Sequence, residues 1–216
     1  MSRYRGPRLR ITRRLGPLPG FTRKVARNDT PPGPRGGDEG RRKSSQYAIR
    51  LKEKQKLRFN YGITESQLIR YVREARRVKG STGEVLLQLL EMRLDNIVYR
   101  LGFLPTIAAA RQAIRHGHIL LNQKKATIPS HQCHPQDTIL ISPKKRSQPL
   151  IDAWLTRKNR WMMPPHLRVD HERNVGVVNG VVDRAWVGLE GRPLGLETVS
   201  SGLNELLVVE FYSRKL

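Results

Sequence analysis

Four arginines and an aspartate cluster near the middle of this 216-residue chain: Arg93, Arg100, Arg111, Arg115 and Asp95. A guanidinium held on a rigid helical face grips phosphates bidentately and stacks on splayed bases, so this grouping fits RNA. The competing reading is ordinary solvated surface charge. Asp95, two residues after Arg93, reads as structural: it can orient a neighbouring arginine or interact with the first turn of its own helix. A second grouping, His116, His118, His131, Cys133 and His134, raises metal binding. The run His131-Gln132-Cys133-His134 packs its donors too tightly for the usual zinc arrangement, so neither a metal nor any other cofactor is expected. Cys133 is the only cysteine, which excludes an internal disulfide or paired-thiol site and suits a small buried residue in a reducing compartment.

The elements that must hold these residues follow from periodicity. Leu94, Ile97, Val98 and Leu101 recur at helical spacing and leave Arg93 and Arg100 on another side. Gly102 to Pro105 breaks that helix, and Thr106 is an N-cap for a second one with Ile107, Ala110, Ala113 and Ile114 inward and Arg111 and Arg115 at its flank. Gly117 ends it. Two amphipathic helices packed apolar face to apolar face would thus turn their arginines outward.

Strand-like runs follow at Ile119 to Leu121, Ala126 to Ile128 and Thr138 to Ile141, implying a small antiparallel sheet behind the helices. Val175 to Val182 and Leu206 to Tyr212 are further strand candidates, the second equally readable as a short buried segment. Upstream, Tyr47 to Tyr61 is rich in helix formers, and Thr64 to Gln67 and Ser81 to Glu84 read as capping boxes opening two more helices. Residues 143–174 are loop-like, with a basic start and Trp154 and Trp161 close by; residues 188–202 are a Gly-rich loop.

Charge sets the class of partner. The chain carries 41 Lys and Arg against 18 Asp and Glu, a net charge of +23, which demands a polyanion. Residues 1–60 hold +14 of it and residues 161–216 come to −1, so the basic footprint lies in the first three quarters. Residues 1–45, with 13 Arg and Lys and the run Pro31 to Gly37, are expected to form an extended arm that orders only on RNA. Tyr4, Tyr47 and Tyr61 neighbour basic runs and either stack on bases or pack within their own domain. Apolar runs far shorter than the ~20 residues that span a bilayer argue against a membrane partner. No secretory signal is expected at the arginine-rich start.

The residues also carry a resemblance. Met92 to Phe103, then Thr106, Ala110-Arg111-Gln112, His116 to Ile119 and Leu121-Asn122, resemble the RNA-binding domain named after small-subunit ribosomal protein four. That domain alone is shared with pseudouridine synthases, whose catalytic aspartate stands in an Arg-Leu-Asp triplet like Arg93-Leu94-Asp95, and with a ribosome-rescue factor. The flanks favour the ribosomal family itself: Met1 to Arg8, Arg50 to Arg58, Lys79 to Glu84 and Asn204 to Arg214 are all similar to it, in wording nearest to plastid-encoded members. One departure is Gln123 after Asn122 where the family usually has Asn-Gly, and a non-glycine there is strained in the tightest hairpin turn, so a different turn is expected.

The resemblance implies an α+β protein with a basic arm (1–45), a helical domain (46–91, completed by 203–216), an inserted two-helix and antiparallel-sheet RNA-binding domain (92–155) and its strand and loop extension (156–202). It implies a non-enzymatic constituent of the small ribosomal subunit, in a chloroplast or a bacterial cytoplasm. Such a protein nucleates assembly of the subunit body on rRNA, contributes to accuracy beside ribosomal protein five, and lies where mRNA enters. The expected rRNA contacts are Arg3, Arg5, Arg8, Lys43, Arg50, Lys54, Lys56, Arg58, Arg93, Arg100, Arg111, Arg115, His116, His118, Asn122 and Lys124.

Overall fold

The computed structural model describes residues 4–28, 30–33, 45–143, 149, 164–170, 173–183 and 203–213. Five helices build the helical part: α1 (Arg8–Leu15), α2 (Gln46–Asn60), α3 (Glu65–Arg77), α4 (Thr82–Glu91) and, after the RNA-binding domain, a C-terminal helix (Glu205–Ser213). Leu57, Leu68, Val72, Ala75, Leu86, Leu90, Val208 and Phe211 meet in its core, each at helical spacing on its own element. Gly83 lets the C-terminal helix lie against α4, because a Cβ there would fall 2.6 Å from Glu205 Cγ.

The RNA-binding domain follows with α5 (Leu94–Arg100), α6 (Ile107–His116), β1 (Ile119–Leu121), β2 (Lys124–Lys125), β3 (Thr138–Ile141), β4 (Leu167–Asp170) and β5 (Val175–Val178). The C-terminal helix is accordingly α7. All strand pairs are antiparallel, in the order β2-β1-β3-β5-β4. Thr106 accepts from Ala109 N at 3.3 Å, and Gly117 ends α6 at φ 76°, a left-handed conformation that costs glycine nothing. Ile97, Val98, Leu101, Ala110, Ala113 and Ile114 pack on Ile119, Ile139 and Val178 as one core. The other side of the same two helices is apolar too: Tyr99 and Ile107 belong to the helical core. The pair is therefore sandwiched between two cores.

Several expectations need correction. The arm is folded in part: α1 forms, and Leu15, Leu18 and Phe21 bury against Ile11, Phe59 and Leu203. Two hydrogen bonds at Gly20 fasten it, Gly20 N donating to the Asn60 side-chain Oδ1 and Gly20 O accepting from Ile107 N, each at 3.0 Å. Leu206 to Tyr212 is helix, since Val208, Phe211 and Tyr212 bury at i, i+3 and i+4. The second strand of the hairpin is Lys124-Lys125; beyond it Ala126 N still donates to Ile119 O at 3.2 Å, but Ala126 to Ile128 form no strand of their own. The turn is the tight two-residue one after all: Leu121 pairs with Lys124, and Asn122 (φ 49°) and Gln123 (φ 65°) both sit in the left-handed region. Asn122 is fixed there, donating to Asp137 Oδ1 and accepting from Thr138 N, each at 2.8 Å. Thr64 and Ser81 do open α3 and α4, without the capping hydrogen bonds their sequences suggest. The 188–202 loop, the basic start of 143–174 from Lys144 to Arg160, Trp154 and Trp161 lie outside the described residues.

Candidate RNA-binding groove

Three of the four central arginines turn inward. Arg93, 0% exposed, donates Nε and Nη2 to Asp95 Oδ1 and Oδ2 at 3.0 and 2.8 Å and Nη1 to Tyr71 Oη of α3 at 2.6 Å. Arg111 donates Nε to the same Asp95 at 2.6 Å and its two Nη groups to the carbonyls of Tyr61 and Gly62 at the end of α2. Arg100 forms a fork with the buried Glu91, 2.7 and 3.1 Å. Glu91 also accepts from Tyr61 Oη and Asn96 Nδ2, each at 2.5 Å. Burial alone would lower the Arg93 and Arg100 pKa values; the facing carboxylates outweigh it and raise both. Tyr61 is pushed up by burial and by Glu91. These arginines rivet the RNA-binding domain to α2 and α3. The expectation that Arg93, Arg100 and Arg111 offer free guanidinium groups is thus not how the structure places them, because each already has a protein carboxylate within 3 Å.

What faces outward is a groove of about 920 Å³ between the N-terminal segment, the α2–α3 junction, α6 and residues 127–130. Arg5, Arg8, Arg58, Arg111, Arg115 and His116, all expected contacts, line it together. Arg5, Arg115 and His116 are exposed. Arg8 lies over the Phe21 ring at 5.4 Å and donates to Phe21 O at 3.2 Å. Arg58 lies over Phe59 at 4.6 Å, and its buried Nε has no hydrogen-bond partner among the described residues. Apolar groups share the lining: Tyr4, Phe21, Phe59 and Ile128. Cationic groups beside open aromatic surface can hold a phosphate backbone and its bases at once.

The remaining expected contacts divide. Lys124 is exposed on the edge strand β2, and the His116 and His118 rings sit 5.9 Å apart at the end of α6. Arg50 pairs with Glu210 (2.6 Å) and Lys54 with Glu65 (2.9 Å), so these two brace α2 against α7 and α3, while Lys56 pairs with Glu53 (2.7 Å) within α2 itself. Arg3 and Lys43 lie outside the described residues. Of the tyrosines, Tyr61 is 2% exposed and packs inside, whereas Tyr47 (56%) and Tyr4 (40%) remain open.

Arg70, Arg73, Arg76 and Arg77 on the outer side of α3 are all exposed, a basic face the sequence reading did not single out. Their spacing opposite Leu68, Val72 and Ala75 was the available signal. Cys133 is a core residue whose thiol burial pushes up to about 12, which leaves it protonated, and His131 and His134 point to solvent.

His166, before β4, is 6% exposed and neither ring nitrogen has a partner among the described residues. Burial lowers its pKa from 6.5 to about 4. Below pH 6.5 the unfolded chain takes up a proton that the native imidazole refuses until about pH 4. Stability is therefore expected to fall as the pH drops through that window, by roughly 3 kcal/mol at its acid end. Urea unfolding between pH 7.5 and 4.5 checks this. His166→Gln should flatten the dependence, and equal slopes in both proteins would mean that the native imidazole charges freely.

Comparison with known proteins agrees with this architecture. Residues 3–91 match the model of the ribosomal protein S4/S9 N-terminal domain, and residues 92–139 match that of the S4 domain. The chain is 56% identical over 215 residues, the whole of both chains, to small ribosomal subunit protein uS4c of Rhodomonas salina. It is equally similar to uS4 of Thermosynechococcus vestitus, and 53% identical over the same length to uS4c of Nephroselmis olivacea. A boundary at residue 92 falls where Arg93 begins the riveted junction, and the likeness to these relatives extends over the whole chain and so covers both halves; the chain belongs to the family of small ribosomal subunit protein uS4.

Proposed function

We propose that this chain is a structural, non-catalytic constituent of the small ribosomal subunit that holds rRNA in the groove between its N-terminal segment and α6. The observation that carries the reading is the convergence there of Arg5, Arg8, Arg58, Arg115 and His116 from three separate stretches of chain. Asp95 supports the non-catalytic reading: it is 0% exposed and locked between two guanidinium groups, where no uridine can reach it. Membership in the uS4 family supports the wider role, in which the protein joins the subunit body early, meets ribosomal protein five, lies where mRNA enters and contributes to accuracy. The setting is a plastid ribosome, with the bacterial cytoplasm as the alternative, on the likeness to plastid and cyanobacterial relatives.

The test is a salt titration of small-subunit rRNA binding by the full chain and its Arg5→Ala/Arg115→Ala variant. Both side chains are solvent-facing, so the fold should be unchanged by circular dichroism. Losing two phosphate contacts should weaken binding and make the slope of log affinity against log salt shallower by about 1 to 2 units. Unchanged affinity and slope would remove the groove from the interface and shift the burden to the outer face of α3. Retention on small subunits through a high-salt wash separates a resident protein from a transient factor.

A further inference from the structure

We propose that the apolar part of the groove is a subsite for one unpaired nucleotide, whose base lies on Tyr4 while its flanking phosphates rest on the cationic rim. This rests on the reading of the groove as an rRNA interface. Tyr4 packs edge-on against Phe59, with centroids 5.4 Å apart at 83°, and tilted against Phe21 at 5.8 Å, so two rings fix its position. It nonetheless remains 40% exposed, and it lines the groove together with Ile128, 61% exposed. Two large apolar side chains left open in one concavity are costly in water and suit a flat π surface.

The rim adds the rest. Arg5 and Arg115 are exposed on the N-terminal segment and α6, where phosphates on either side of an extruded base would meet them. Arg58, over the Phe59 ring at 4.6 Å, adds a further cation to the lining beside the aromatic floor. A paired A-form helix presents its backbone and shallow groove, and could use the rim but not the aromatic floor. A volume of about 920 Å³ is within the range of small-ligand sites and has room for one base and its flanking groups. An acidic peptide would use the rim in the same way, without need of a ring for stacking.

The experiment uses the full chain with three probes: an RNA hairpin bearing a single bulged 2-aminopurine, its fully paired counterpart, and poly-glutamate. The bulged hairpin should bind at least about tenfold tighter than the paired one, with quenching of the bulged base. Tyr4→Leu keeps apolar packing on Phe21 and Phe59 but removes the stacking face. It should abolish the preference and the quenching while leaving the salt slope unchanged, and Tyr4→Phe should keep both. Gly6→Ala offers a route that changes no groove-lining side chain, because a Cβ at Gly6 would fall 2.5 Å from Tyr4 Oη and displace the ring; the preference should drop there too. Equal affinity for the two hairpins, a preference that survives in Tyr4→Leu, or Tyr4-dependent binding of poly-glutamate each overturns the subsite. If small-subunit rRNA still binds in those cases, the rRNA reading of the groove stands; if neither hairpin nor rRNA binds, both fail.

Discussion

Asp95→Ala should destabilise the protein by about 3 to 5 kcal/mol, the loss expected when a buried ion pair keeps only one of its charges. Arg93 is 0% exposed and donates two of its three polar nitrogens to that carboxylate, so the substitution leaves a buried guanidinium with Tyr71 Oη as its remaining partner. Arg111 loses its anchor as well, though at 13% side-chain exposure it can recruit water. For a chain of this length, the shift corresponds to a melting temperature lower by roughly 6 to 20 °C. Removing both charges behaves differently. Arg93→Met with Asp95→Leu replaces the pair by apolar groups and should recover much of the loss, since the desolvation cost disappears with the charges. Guanidinium chloride unfolding of the single and double variants closes the cycle. A loss below about 1 kcal/mol for Asp95→Ala would mean that Arg93 is hydrated in solution and that the junction is no rivet.

That junction marks where sequence reasoning stopped. The apolar positions of α5 and α6 were legible because their 3.6-residue period is a property of each helix alone. From that period, anything off the stripe reads as outward, and Arg93, Arg100 and Arg111 are expected to face RNA. Periodicity locates one buried face but is blind to a second one made by a distant element, here α2 and α3 meeting Tyr99 and Ile107. Asp95 carried the missing signal: an acid two residues from an arginine was read as its possible orienter, and it is that for two of them. α7 failed for the opposite reason. In Leu206 to Tyr212 nearly every residue is apolar, so no period is visible until burial in the helical core selects Val208, Phe211 and Tyr212. The N-terminal segment was misjudged on composition, because three apolar residues, Leu15, Leu18 and Phe21, suffice once Phe59 and Leu203 are supplied from elsewhere. In the groove, spacing and charge point to the cationic residues only one element at a time; the fold brings Arg5 and Arg8 beside Arg115 and His116.

The sandwiching of α5 and α6 leads to the other large effect. Ile114 is 0% exposed among Leu94, Ile97, Val98, Ile119 and Ile139, and Ile114→Asp places an unpaired carboxylate among these apolar side chains. A cost of several kcal/mol is expected, enough to consume much of a typical domain's stability. The question is how far the damage spreads. Were the helical part independent, α3 and α4 would keep their protection from hydrogen exchange while β1 and β3 lost theirs. The structure argues for common loss, because Tyr99 and Ile107 on the far side of the same two helices complete the helical core, and Arg93 and Arg111 tie them to Tyr71 and the end of α2. Loss of α5 and α6 would strip that core of both residues and free all of those bonds. Native-state hydrogen exchange should therefore show protection falling together in α3 and β3, with one cooperative transition in urea. Ile128→Asp is the control: at 61% exposed it should leave the transition in place while weakening RNA binding from the groove. Protection lost in β3 with wild-type protection in α3 would show two separable units, and the arginine and carboxylate junction would then be a contact between domains instead of part of a shared core.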